Sequence, residues 1–152
     1  MIKAPGILYL IASPIGNLED MSFRGVRTLK EVDYLFCEDT RHSRVLLKQF
    51  GIDRESFSYH DHSSQSVLHK IEEYLRGGAS VGYVSDAGTP GISDPGYLLV
   101  RSAIRVGARI TIIPGPSVHP ALYAICGLSS SKYLFHGFFQ LSKIEIEKVL
   151  DL

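Results

Sequence analysis

The stretch VGYVSDAGTPGISDPG, residues 81–96, joins an apolar run to a glycine-rich loop and then to a helix start. Val81, Gly82, Tyr83 and Val84 have the character of a buried strand. The loop that follows contains Gly88, Gly91 and Gly96 with Pro90 and Pro95. Asp94-Pro95 is a helix opening, with Asp as N-cap and Pro at the first helical position. Tyr97, Leu98, Val100, Ala103, Ile104 and Val106 carry the apolar spacing onward to a stop at Gly107. A strand, a loop and a helix in this order place the loop at the carboxyl end of a strand, where open parallel α/β sheets bind ligands. Glycines that merely let the chain turn would produce the same local pattern.

Two other loops repeat the arrangement. Residues 7–12 are an apolar run that breaks at Ser13-Pro14-Ile15-Gly16-Asn17, and residues 109–113 are a second that breaks at Pro114-Gly115-Pro116-Ser117. Between them, residues 34–37 form a strand ending in Glu38-Asp39-Thr40, and residues 56–59 a short strand before His60-Asp61-His62. Helices fill the intervals. Ser22 caps one with Phe23, Val26, Leu29 and Val32 inward. Thr40 caps one with Val45, Leu46, Leu47 and Phe50 inward. The next carries Val67, Leu68, Ile71, Tyr74 and Leu75, and Ser117 opens the last. This alternation with short connections predicts an α/β fold with a parallel sheet, helices on both faces and right-handed crossovers.

The 152 residues suit one domain with a real core. Composition predicts two unequal parts: an α/β domain over residues 1–128, and a linker with the start of a second, shortened domain over residues 129–152. Residues 133–139 read there as a strand and residues 142–152 as a short helix. The balance of 16 basic and 16 acidic residues gives net charge no role in attracting nucleic acid. No apolar run approaches the roughly 20 residues of a membrane span, and the N-terminus lacks a signal-peptide pattern. Cys37 and Cys126 lie in separate apolar segments, as buried reduced thiols of a cytoplasmic protein would.

Several chemistries fail on spacing. There is no G-x-G-x-x-G and no G-x-x-x-x-G-K-[ST]. The glycines around Ser93 are too far apart for a G-x-S-x-G nucleophile elbow. Glycine/proline loops at one sheet edge do suit a nucleoside-like ligand held largely through backbone.

The segments LYLIASPIGNLEDMSFRGVRTL, CEDTRHSRVLL, HDHSSQ, VSDAGTPGISDPGYLLVR and PGPS resemble the tetrapyrrole methylase superfamily across nearly the whole chain. The resemblance implies an S-adenosylmethionine-dependent methyltransferase. Within the superfamily it points to the branch that methylates the ribose 2′-hydroxyl of a cytidine in small-subunit ribosomal RNA. It implies a cofactor cleft between two α/β domains. Contacts would come from Pro14, Ile15 and Gly16 in the first loop, from Asp86, Ala87, Gly88, Thr89 and Ile92 in the second, and from Ser117 and Val118 in the third. Most of the second domain of that pattern is absent. A tetrapyrrole carbon as acceptor, and a non-catalytic fragment that binds cofactor or partner, are the alternatives. A homodimer covering the apolar segment 133–139 is the expected assembly.

Methyl transfer from a sulfonium needs orientation and no metal. Asp86 could hold the cofactor's charged end or simply stabilise its loop as an Asx-turn. A ribose hydroxyl benefits from a general base. Glu38 and Asp39 are the first candidates, Asp61 and His62 the others, and Glu38-Asp39-Thr40 is equally a helix cap. His60-Asp61-His62 is weak evidence for a metal without a third ligand. Arg41, Arg44 and Lys48 share a helix face and are the candidate RNA contacts, or else an ordinary solvated face. Tyr83 and Tyr97 read as core rather than as stacking platforms.

Overall fold

A computed structural model of the chain describes residues 4–60, 63, 65–129 and 132–138. The chain divides into two compact units, Met1–Val118 and His119–Leu152. The first contains β1 (Ile7–Ile11), α1 (Phe23–Glu31), β2 (Tyr34–Cys37), α2 (Thr40–Gln49), β3 (Phe57–Ser58), α3 (Gln65–Arg76), β4 (Ser80–Val84), α4 (Gly96–Arg105) and β5 (Arg109–Ile113). A further helix, α5 (Val118–Ile125), begins at the division.

The strands form one parallel sheet in the order β3-β2-β4-β1-β5. Ile7 pairs with Ser80 on one side and with Arg109 on the other, so β1 lies between β4 and β5. Alternate side chains of each strand point to opposite faces, and each face has its own core. On one, Ile11, Leu35, Cys37 and Val84 pack with Leu29 of α1 and Leu46 and Leu47 of α2. On the other, Leu8, Leu10, Phe36, Val81 and Tyr83 pack with Ile71 and Leu75 of α3 and Leu99 and Ala103 of α4. The parallel sheet with helices on both faces expected from the alternation is therefore the fold.

α1 and α2 carry the chain toward the β3 edge on one face, and α3 and α4 carry it back toward β5 on the other. All four crossovers thus share one hand, as the chirality of such connections requires. The chain leaves neighbouring strands β1 and β4 toward opposite faces. That divergence opens a crevice at their carboxyl ends.

Local chemistry explains the helix starts. Ser22 caps α1, its Oγ accepting from the Gly25 N–H at 3.0 Å. Asp39, rather than Thr40, caps α2 through the Arg41 N–H at 2.8 Å. A carboxylate directly before the first turn also benefits from the helix dipole. Asp94 does not cap α4 in the usual register. Its Oδ1 accepts from both Gly91 N–H (2.8 Å) and Gly96 N–H (2.7 Å), so it folds the end of the loop back on itself. Glu72 of α3, only 2 % exposed, is paired with Arg105 of α4 and with Arg76 one turn along its own helix.

Some side chains expected inward are not. Phe23 is 97 % exposed and Tyr97 50 %, and Val45 and Ile104 are also exposed. Each lies on the side of its helix turned away from the buried residues, Phe23 opposite Gly25 and Leu29, and Tyr97 and Ile104 opposite Leu99 and Ala103. Cys37 is buried as expected, and burial raises its thiol pKa. Cys126, also expected to be buried, is exposed, because α5 contributes no buried residue. In the second unit, residues 133–138 form no strand despite their apolar run. No strand edge among the described residues of that unit is available to pair them. They meet α5 through rings instead, Tyr133 with Tyr123 at 5.2 Å and Phe135 with His119 at 3.9 Å between centroids. Phe139 and the helix expected over residues 142–152 lie outside the described residues.

Candidate functional site

The three glycine/proline loops meet at the carboxyl edge of the sheet. The loops after β1 and β4 are joined by a backbone bridge. Ser13 N–H donates to Gly88 O (2.9 Å) and Gly88 N–H donates to Ser13 O (3.1 Å). Ser13 Oγ also donates to Ser85 O at 3.0 Å. The loop after β5 is tied in below, where Ala12 N–H donates to Ile113 O at 3.1 Å.

Gly88 is where the three loops converge. Its φ is +79°, and a Cβ built there would lie 3.5 Å from Ile15 Cγ2 and 3.9 Å from Pro116 O. Gly16 has φ +140° and open space where a Cβ would be. Pro14 and Gly88 are buried, Asp86, Thr89 and Ser117 half-buried, and Ile15, Gly16, Ala87, Ile92 and Val118 exposed. The structure thus presents bare backbone at Gly16 beside the exposed apolar side chain of Ile15. Ile92 lies further along the loop, beside Ser93, whose φ of 59° makes it the one non-glycine with positive φ among the described residues.

A second cluster holds the carboxylates. Glu38 Oε2 accepts from the Asp86 N–H at 3.3 Å, and Asp86 Oδ1 accepts from the Asp39 N–H at 3.1 Å. The ends of β2 and β4 are thus cross-tied by reciprocal carboxylate–amide bonds. Asp39 is further engaged by the Arg41 guanidinium, with Oδ2 and Nη2 2.7 Å apart. Side-chain and backbone bonds from Arg41 lower the Asp39 pKa to about 2. Beneath the cluster, the buried Tyr83 hydroxyl has no hydrogen-bond partner among the described residues. Burial, then the charges of Asp94 and Glu38, raises its pKa.

A cavity of about 190 Å³ opens between these groups, lined by Pro14, Gly16, His42, Ser43, Ser85 and Asp86 among others. It draws together expected residues from two loops. His42 and Ser43 were not singled out from the sequence. Their position in the first turn after the Glu38-Asp39 loop was the available signal.

The expected basic face divides. Arg41 turns to Asp39, whereas Arg44 and Lys48 line a separate cavity of about 660 Å³ with Thr40, Arg54 and Ser56. Arg54 is occupied in closing the end of α1, donating to Leu29 O at 2.8 Å and Asp33 O at 3.3 Å. His60 is exposed and its N–H donates to Ser63 Oγ at 2.8 Å. Asp61 and His62 lie outside the described residues. Among the described residues no group of three or more His, Cys, Asp or Glu is placed to hold a metal ion, and no helix is long and apolar enough to cross a membrane.

Comparison with known proteins gives a consistent answer. The family described as tetrapyrrole (corrin/porphyrin) methylases matches residues 7–146. A protein of Mesorhizobium japonicum named ribosomal RNA small subunit methyltransferase I is 50% identical over 131 residues, covering 86% of this chain and 45% of its own length. A protein of the same name from Xylella fastidiosa is 46% identical over 137 residues, covering 90% and 50%. The chain spans about half the length of these curated relatives. Among solved structures, uroporphyrin-III-C-methyltransferase from Thermus thermophilus shares the fold, with a TM-score of 0.61 at 20% identity over 78% of this chain and 52% of that one.

Proposed function

The chain belongs to the tetrapyrrole (corrin/porphyrin) methylases, and from that premise we propose that it binds S-adenosylmethionine and serves methyl transfer to small-subunit ribosomal RNA. The observation that carries the reading is the convergence of three loops on Gly88. Bare backbone, a free glycine at Gly16 and the exposed Ile15 side chain suit a nucleoside-bearing cofactor recognised through amides, carbonyls and apolar contact. The residues present therefore fit the group that the family implies. Pro14, Ile15, Gly16, Asp86, Ala87, Gly88, Thr89, Ile92, Ser117 and Val118 are its proposed contacts. When bound, that cofactor supplies an activated methyl group and its own leaving group.

The chain's part is orientation and proton handling. Glu38 and Asp86 fix the ends of β2 and β4 relative to each other. Glu38 and Asp39 are the proposed carboxylates for handling the acceptor hydroxyl's proton, both held at the sheet edge, Glu38 by the Asp86 N–H and Asp39 by its cap and by Arg41. Ribosomal RNA as acceptor rests on the names of the relatives, and the cytidine 2′-hydroxyl on the likeness of the motifs. Arg44 and Lys48 are proposed phosphate contacts. A cytoplasmic homodimer, and a domain boundary near residue 128, complete the reading.

Calorimetric titration with adenosylmethionine and with its demethylated product tests the cofactor site. Saturable binding of either is expected, and binding of neither would refute the assignment. Transfer of labelled methyl from the cofactor to small ribosomal subunits, but not to a corrinoid precursor, is the expected acceptor preference.

A further inference from the structure

The helices α1 and α2, which cover one face of the sheet, are basic, although the chain as a whole is electrically balanced. α1 carries Arg24, Arg27 and Lys30 against Glu31 alone, and α2 carries Arg44 and Lys48 beyond Arg41, which is paired with the capping Asp39. A groove of about 870 Å³ runs along α1 to the end of α2. Its apolar lining includes Phe23, Val26 and Phe50, its basic residues are Arg27 and Lys30, and Glu19 is its one acid. Phe23, Arg27 and Lys30 follow one another at helical spacing of four and three, so they form a single stripe on α1.

Phe23 is the anomaly. It stands at the first position of α1 and is 97 % exposed, so its ring contributes almost nothing to the core. An exposed aromatic ring followed along one helix face by two cations is the arrangement that binds unpaired nucleic acid. The ring stacks a base, whichever base it is, and the cations meet the phosphates on either side.

We propose that this groove is a binding site for single-stranded RNA, in which an unstacked base lies on Phe23 and the flanking phosphates meet Arg27 and Lys30. The charge of the two helices selects a polyanion over an apolar protein segment. The inference rests on the RNA reading above, but the site is separate from the loops around Gly88 and from the cavity beside Arg44 and Lys48.

The test is fluorescence anisotropy of a labelled, unstructured oligoribonucleotide with the whole chain. Phe23→Ala is expected to weaken binding at least about fivefold, within the range known for loss of base–aromatic stacking, while Phe23→Tyr stays near wild type. Removing both charges with Arg27→Ala and Lys30→Ala is expected to lower the slope of log affinity against log salt by about 1.4. Thermal unfolding of each variant reports the folded state, and Phe23 is too exposed for its loss to unfold the chain. Equal affinity for wild type and Phe23→Ala overturns the proposal, as does the absence of any RNA binding at low salt. If Phe23→Ala alters self-association and not RNA affinity, the groove is a protein contact and the proposal is wrong. Adenosylmethionine titration separates this failure from failure of the methyltransferase reading, because none of these residues lines the cofactor loops.

Discussion

At the scale of single residues, Gly88 carries the clearest consequence. Its positive φ makes any side chain strained, yet the space at its Cβ is ordinary contact distance from Ile15 and Pro116. Gly88→Val should therefore cost about 1–2 kcal/mol of stability through backbone strain and leave the domain folded. Cofactor affinity should fall roughly tenfold or more, about 1.4 kcal/mol. Thermal unfolding and calorimetry on the same variant measure both, and unchanged affinity would make the loop structural only. Asp39 makes a prediction in pH. Its pKa is depressed from 3.8 to about 2, so its cap and ion pair contribute fully above the usual aspartate range and fade as pH falls through about 2. Asp39→Ala should melt at a lower temperature than wild type at neutral pH, with the difference closing below pH 4 toward about 2. The orphaned Tyr83 hydroxyl predicts the opposite sign. Tyr83→Phe should be neutral or stabilising by up to about 1 kcal/mol in urea unfolding. Little of this residue-level detail was legible beforehand. The glycines announced a loop. That Glu38-Asp39-Thr40 caps a helix was legible, because the capping bond to Arg41 N–H is local in sequence. That Asp39 N–H meets Asp86, and that the Tyr83 hydroxyl has no partner among the described residues, depends on groups brought close only by the fold.

At the scale of elements, the strands were readable because parallel strands buried on both faces are continuous apolar runs. The helices were readable from their spacing, but the side that faces the sheet was not. Tyr97 and Ile104 share one side of α4 with each other, yet the buried side is the one that carries Gly96, Leu99 and Ala103. The run at residues 133–138 misled for a related reason. An apolar run becomes a strand only where a partner edge exists, and sequence does not show the edge. Glu72 shows how α3 and α4 are locked together. Burial alone would raise its pKa, but Arg105, Ser102 and Arg76 outweigh burial and leave it lowered. Its contribution is thus present above the usual glutamate range and is lost on acidification. Arg105→Ala should cost about 1–3 kcal/mol by leaving a buried carboxylate without its main partner, measured by urea unfolding. The loss should shrink in Arg105→Lys, which keeps the charge.

At the scale of the whole molecule, the strand order could not be read in advance, since every run is apolar enough to be central. Only the pairing places β1 and β4 side by side and so aligns the crevice with the glycine loops. If the chain assembles as a homodimer, light scattering should report twice the chain mass, and a monomer at high concentration would remove that proposal. The position of β1 also governs how the chain reaches its folded state. β1 pairs with β4 and β5 only, so Ile7 waits for Ser80 before it has any ladder. Contacts this distant in sequence slow folding. On the ribosome, β1 would remain unpaired and open to chaperones until β4 has left the exit tunnel. A nascent chain halted before residue 80 should accordingly be cut by protease within β1, and one released after residue 118 should be protected there.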